Sequence, residues 1–224
     1  MNWNNLLSPW QIAFREAWTA FCSDAFPVGA AVVNPSGVVV AAGRNTVRGL
    51  KPTTGFLHGN KLGHAEINAL LQINERQYPD YQQFTLFSTA EPCPLCLGAM
   101  VMSKLRKCCY AARDPIAGSA GLATASDYLA RRELQFIGPE ADLEILQIAL
   151  LSAFMLEHRP SEVPRFVGSW NQYCPKGTDL GQRLFRNGSF FQWKMGQTPV
   201  EKIFDELCNP NNMPTSSKFQ IKVF

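Results

Sequence analysis

The chain has 224 residues, 46% of them hydrophobic and 17% charged, which is enough to bury one substantial core, or one domain with a large appendage. No run of about 18 residues is apolar and uncharged, and the segment from Met1 to Pro9 lacks the parts of a secretion signal, so the expectation is a soluble cytoplasmic protein with no membrane partner. The formal net charge of +3 is uneven: 12 Lys+Arg face 13 Asp+Glu through His158, and 9 face 5 from Arg159 onward, an excess modest beside that of many nucleic-acid-binding domains.

Ser8-Pro9-Trp10-Gln11 reads as a helix start, with Ser8 as N-cap, Pro9 at the first helical position and Gln11 at N3. Trp10, Phe14, Ala17, Trp18 and Phe21 then follow at helical spacing. Val28 to Val33 and Val38 to Ala42 are apolar, β-branched runs split by Asn34-Pro35-Ser36-Gly37, which predicts a β-hairpin. The stretch after Asn45, with Gly49, Pro52, Gly55, Gly59 and Gly63, reads as a loop long enough to form a lid or binding wall. A helix is expected over Ala65 to Ile73, a buried strand over Phe84 to Ser88, a helix over Cys93 to Lys104 and a strand over Lys107 to Ala112. A helix over Ala123 to Arg131, a fifth strand over Leu134 to Ile137 and a long helix over Glu140 to Glu157 follow. The alternation makes a mixed α/β sandwich the economical fold. From Pro160 the texture changes to an aromatic-rich region punctuated by Pro and Gly. A helix over Pro199 to Leu207, a linker from Asn209 to Ser217 and a strand-like alternation of Phe219, Ile221 and Val223 complete the chain.

Two motifs carry chemistry. His64-Ala65-Glu66 and Pro92-Cys93-Pro94-Leu95-Cys96 together supply one imidazole and two thiolates, a donor set that zinc favours. Three protein ligands are the mark of a catalytic site, where the metal lowers the pKa of a water in the fourth position to about 7, whereas structural sites close with four. Both motifs fall where a helix begins, and the positive end of a helix favours thiolate over thiol. Glu66, two residues past His64, is placed to move protons rather than to share the metal. The seven cysteines, an odd number with Cys108 and Cys109 adjacent, fit a reducing compartment better than a disulfide framework.

His-x-Glu paired with Pro-Cys-x-x-Cys is the signature of zinc nucleobase deaminases. Together with Pro27-Val28-Gly29-Ala30, Asn45, Thr89-Ala90-Glu91 before the cysteine motif, Leu97-Gly98-Ala99-Met100 after it, and Ala112-Arg113-Asp114 followed by Gly118-Ser119-Ala120-Gly121, it makes the chain resemble the cytidine deaminase superfamily. The resemblance covers about residues 8 to 157 and is strongest to the branch of tRNA adenosine deaminases and guanine deaminases. It implies a three-layer α/β/α sandwich with a five-stranded mixed sheet, a homodimer, and one zinc per chain on His64, Cys93 and Cys96, with Glu66 catalytic. Substrate contacts would come from Val28, Asn45, Ala65, Ala90, Glu91 and Asp114. On this reading residues 1–158 form the deaminase domain. Residues 159–224 form a C-terminal extension serving as lid, dimer contact or specificity element. The implied activity is hydrolytic release of ammonia from an amino-substituted nucleobase or nucleoside, with adenosine in a tRNA loop as the alternative substrate. The 19 positions from Asn45 to His64 are more than the tRNA-acting enzymes lead one to expect.

Plainer readings stand beside these. The cysteines could close a structural zinc site with His58 or Cys22, or form a redox pair, and the chain could be a silent zinc-stabilised scaffold. Glu66 could be a solvated helix carboxylate, Asn45 could simply end the hairpin, and Asp114 could turn the chain before Pro115. Cys108 and Cys109 read as core residues, and His158 as a partner of helix-end carbonyls. Trp170, Tyr173, Phe185, Phe190, Phe191 and Trp193 could stack bases, or serve core packing or a dimer contact.

Overall fold

The structure is a computed structural model and describes residues 2–48 and 52–208. After a 3-10 turn over Trp3–Asn5, helix α1 spans Ser8–Cys22, followed by strands β1 (Gly29–Val33) and β2 (Val39–Arg44), helix α2 (Ala65–Leu70), strand β3 (Thr85–Ala90), helix α3 (Pro94–Met102) and strand β4 (Lys107–Ala112). Helix α4 (Asp127–Ala130), strand β5 (Gln135–Ile137) and helix α5 (Ala141–His158) follow. Then come α6 (Val163–Tyr173), α7 (Pro175–Arg186), α8 (Ser189–Met195) and α9 (Val200–Leu207).

The strands form one five-stranded sheet in the order β2-β1-β3-β4-β5. β1 pairs antiparallel with β2 and β3, while β3–β4 and β4–β5 are parallel, so the sheet is mixed. The predicted hairpin forms: the Asn34 side chain accepts from the Val38 N–H at 2.9 Å, and Gly37 takes φ +80°, a conformation that costs glycine little. Two further glycines bring helices onto opposite faces of the sheet. A Cβ on Gly29 would strike the backbone of α1 at Ala13 and Ala17, and one on Gly43 would strike α2 at Ala65 and Ala69. Gly29 lies opposite Arg44 and Gly43 opposite Ala30, one residue apart in register, so the pleat sends their missing side chains to different faces.

Several sequence expectations are corrected. Leu7, not Ser8, precedes the first helical residue of α1, and no side chain caps it. Gln11 instead donates to the carbonyls of Trp3 (3.0 Å) and Leu6 (3.3 Å), tying the N-terminal turn to the helix. α2 stops at Leu70, three residues before Ile73. The expected helix over Ala123 to Arg131 contracts to Asp127–Ala130, where Ser126 caps through the Leu129 N–H. The described residues after Pro160 are largely helical, and Pro164 and Pro175 stand in the first turns of α6 and α7, where proline's missing N–H costs nothing. The expected linker and the Phe219 to Val223 strand lie outside the described residues.

The C-terminal helices share the core of the sheet domain. Val167, Trp170, Leu180, Phe190, Trp193, Ile203 and Phe204 belong to the same buried cluster as Phe14, Leu86 and Phe154. α7 lies against α5 through Gly177, where a Cβ would come within 2.8 Å of Ile148 Cβ, and Gly181, where it would come within 2.5 Å of the Ala149 carbonyl. α9 returns to the N-terminus: Arg15 binds Glu201 at 2.6 Å, the Trp3 N–H donates to Asp205 at 3.0 Å, and Trp18 Nε1 donates to the Thr198 carbonyl at 3.0 Å.

Candidate functional site

His64 and Cys93 occupy equivalent places, each the extended N-cap residue of its helix, α2 and α3. Neither side chain caps its own helix, so both are free to turn toward each other, and Cys96 joins them from the first turn of α3. His64 Nδ1 lies 3.5 Å from Cys93 Sγ and 3.6 Å from Cys96 Sγ, and the two sulfurs are 3.6 Å apart. With zinc–nitrogen and zinc–sulfur distances of 2.0–2.1 and 2.3 Å, the edges of a tetrahedron would be about 3.5 Å and about 3.8 Å, so this donor set fits zinc. Among the described residues the fourth-ligand candidates of a closed site, His58 and Cys22, do not join the donor cluster.

The electrostatics favour the same occupant. A hydrogen bond from Cys96, aided by His64 and a backbone N–H, draws the Cys93 thiol down to about 4. Cys96 is pushed up, first by its hydrogen bond to Cys93 and then by burial and the Glu66 carboxylate, 3.3 Å away. His64 is raised by its hydrogen bond to Cys93. Three acidic groups crowd one buried corner, and a divalent cation relieves that crowding.

Glu66 is 3% exposed and is no solvated carboxylate. Its Oε1 accepts from Ser88 Oγ at 2.9 Å, and burial raises its pKa above the usual carboxylate range. Sequence reasoning missed Ser88, because only the pairing of β1 with β3 and the packing of α2 bring residue 88 to Glu66. It also missed Asn68. That fully buried amide donates to the Arg44 carbonyl (2.9 Å) and Thr46 Oγ1 (2.8 Å) and accepts from the Leu57 N–H (2.8 Å), pinning the loop that leads to His64.

The expected substrate contacts divide. Asn45 is buried at the end of β2, where its N–H donates to the Val28 carbonyl at 3.0 Å and its Oδ1 accepts from the Val47 N–H at 3.1 Å. Ala65 is fully buried and Val28 nearly so, while Ala90 ends β3 two residues before Pro92. Asp114 turns the chain, its Oδ1 accepting from Ile116 (2.9 Å) and Ala117 (3.1 Å), and the Glu91 carboxylate binds the N–H groups of Asp114 and Ala120. Cys108 is core, and His158 meets Asp24 (3.4 Å) and Glu157 (3.7 Å) rather than helix-end carbonyls. Trp170, Phe190 and Trp193 are buried, whereas Tyr173 and Phe191 are exposed.

A His-Cys-Cys donor set at two helix starts, with a buried glutamate beside it on a mixed five-stranded sheet, defines a zinc-site α/β sandwich. The family model for the cytidine and deoxycytidylate deaminase zinc-binding region matches residues 4–112, and the chain belongs to this family. It is 31% identical over 108 residues to a tRNA-specific adenosine deaminase of Rickettsia felis, covering 46% of this chain and 67% of that protein. A guanine deaminase of Bacillus subtilis is 28% identical over 128 residues, 55% of this chain and 72% of the relative. A tRNA(Ile)-lysidine synthase of Deinococcus radiodurans is 39% identical over 105 residues, 46% of this chain; the chain spans only 16% of that protein's length. In fold, a solved protein in complex with 2,6-diaminopurine matches with a TM-score of 0.51 at 24% identity, covering 68% of this chain and 84% of the other. Among the described residues no helix is long and apolar enough to cross a membrane.

Proposed function

We propose that the protein is a hydrolytic deaminase that replaces the amino group of a free nucleobase or nucleoside with oxygen, consuming water and releasing ammonia. The observation that carries this reading is a carboxylate, Glu66, buried against the donor triad yet outside it, hydrogen-bonded to Ser88 and 3.3 Å from Cys96. His64, Cys93 and Cys96 would hold zinc, which when bound supplies a Lewis acid that brings a water to ionisation near neutral pH. Glu66 takes one proton from the attacking water and passes it to the ring nitrogen, then takes the second from the hydroxyl of the tetrahedral adduct and gives it to the amine, which leaves as ammonia when the C–N bond breaks and the carbonyl forms. Burial keeps its proton affinity high enough for both transfers, and Ser88 fixes Oε1 so that the other oxygen serves as the proton carrier.

Asn45, Val28, Ala65, Ala90, Glu91 and Asp114 are proposed to shape the substrate side. For Glu91 and Asp114 this is through the loop they organise, since their carboxylates are engaged by backbone N–H groups. Residues 159–224 are proposed to support the deaminase domain and its dimer. Leu95, Met102, Leu122 and Tyr128 stand exposed, with the Tyr128 hydroxyl 3.9 Å from Met102 Sδ, and suit contact with a second copy. A reducing, cytoplasmic setting agrees with seven unpaired cysteines.

Ammonia release by zinc-loaded protein, measured against purine and pyrimidine bases, nucleosides, pterins and a transcribed tRNA, tests the reading. A free base or nucleoside is expected to turn over, with little change between about 50 and 200 mM salt; an enzyme neutralising 6 to 10 phosphates would lose about 10³- to 10⁵-fold in affinity over that range. Turnover of tRNA alone, with that steep salt dependence, would replace this substrate by the one the Rickettsia felis relative is named for.

A further inference from the structure

The loop from Asp114 to Ala120 leaves β4 at the edge where Cys93 sits, since Ala90 pairs with Ala112 at the ends of β3 and β4. A loop in that place needs partners for its backbone N–H groups, and here every donor has one. Asp114 and Ala120 donate to Glu91 Oε2 and Oε1 at 3.1 and 3.0 Å. Ile116 and Ala117 donate to Asp114 Oδ1, Gly118 to the Asp114 carbonyl at 2.8 Å, and Ser119 to the Pro92 carbonyl at 3.0 Å, while Pro115 has no N–H to place. Ser119 Oγ also donates to the Pro92 carbonyl, at 2.6 Å. Gly118 is pressed on the carboxylate so closely that an added Cβ would overlap Glu91 Cδ and Oε2. Glu91 itself is fixed by its own N–H, which donates to the Ala112 carbonyl at 2.7 Å.

We propose that Glu91 is a positioning residue: its carboxylate clamps the Asp114–Ala120 loop to the turn that carries Cys93, and the clamped loop forms the wall that holds substrate beside the donor triad. The second half of this statement rests on the deaminase reading, and the clamp does not. Both oxygens are engaged by loop N–H groups, so the side chain acts through the loop. Carboxylate is the right chemistry because two converging donors need two acceptors on one rigid fork. In Glu91→Gln one acceptor becomes an NH₂ group aimed at an N–H.

The test is hydrogen–deuterium exchange of the peptide spanning residues 113–121, with zinc content and steady-state kinetics, in full-length Glu91→Gln. Exchange at residues 114 and 120 is expected to rise at least about tenfold, with zinc retained. KM should rise about tenfold while kcat changes less than about threefold, the pattern of a lost binding wall. Gly118→Ala, which pushes a methyl group into the same contact from the loop side, should reproduce the exchange and the KM shift if the first variant is insoluble. Unchanged loop exchange would overturn the clamp. A loss of kcat in step with zinc, or a fall in kcat at constant KM, would overturn the positioning role. If the wild-type chain released ammonia from no substrate, the deaminase reading would fall while exchange alone still decided the clamp.

Discussion

Cys96 and Glu66 meet at 3.3 Å in a buried corner, yet they carry different duties, and substitution separates them. Glu66→Gln preserves the shape and the Ser88 contact while removing the proton carrier, so it should keep about one zinc per chain and lower turnover at least about 10²-fold. Cys93→Ala and Cys96→Ala should lose metal and thermal stability together, because assembling the site contributes folding free energy. Metal analysis beside calorimetry checks both. Stoichiometric zinc in the cysteine variants would remove the ligand assignment, and an active Glu66→Gln would remove the proton carrier. The donor residues were legible in the sequence because their spacing is local: Cys93 and Cys96 share one helical turn, and His64 and Glu66 lie two residues apart. Ser88 and the clamping role of Glu91 were not legible, since each depends on a neighbour more than twenty residues away.

At the scale of elements, glycines behave in two opposite ways that their spelling does not reveal. Gly181 in α7 faces α5, where a methyl group would lie 2.5 Å from the Ala149 carbonyl and 2.9 Å from Ser152 Cβ. Gly168 in α6 has nothing within 4 Å of the same position. Gly181→Ala should therefore cost about 1–3 kcal/mol by forcing the helices apart, outweighing its gain in helix propensity. Gly168→Ala should be neutral or stabilise by about 0.5–1 kcal/mol. Urea denaturation of the two variants compares them directly, and equal effects would contradict the packing argument. In the sequence, Gly177 and Gly181, with Pro164 and Pro175, read as punctuation of an aromatic-rich region. The prolines in fact open helices and Gly177 and Gly181 dock one, which only the partner helix α5 makes apparent.

For the molecule as a whole, the C-terminal helices carry load. Lys194 of α8 binds Asp24 (2.5 Å) and Glu157 (3.1 Å), and Phe190 packs on Phe21 with ring centroids 5.5 Å apart. At the site edge Arg113 lies over the Tyr173 ring at 5.3 Å while donating to Glu144 at 3.2 Å, so α6 also braces the strand end from which the Asp114 loop leaves. Truncation after His158 would bare Phe21, Ile148 and Ala149, and the shortened chain is expected to aggregate or to melt well below the full chain, as size-exclusion chromatography and thermal unfolding would show. A soluble, equally stable truncation would make residues 159–224 a separable appendage.

By itself the sequence determined the chemistry: an imidazole and two thiols at two helix starts, a glutamate within one turn of the imidazole, and the hairpin and strand–helix alternation that deliver them. Those follow from short-range rules, because capping, turn geometry and apolar periodicity act over a few residues. Tertiary structure alone decided that Glu66 is buried on Ser88, that Glu91 turns its carboxylate to a loop, and that helices α6 to α9 fold onto α1 and α5. Burial, carboxylate partners and helix-to-helix contact arise between residues distant in the chain, so they are fixed only when the sheet closes and the helices settle on it.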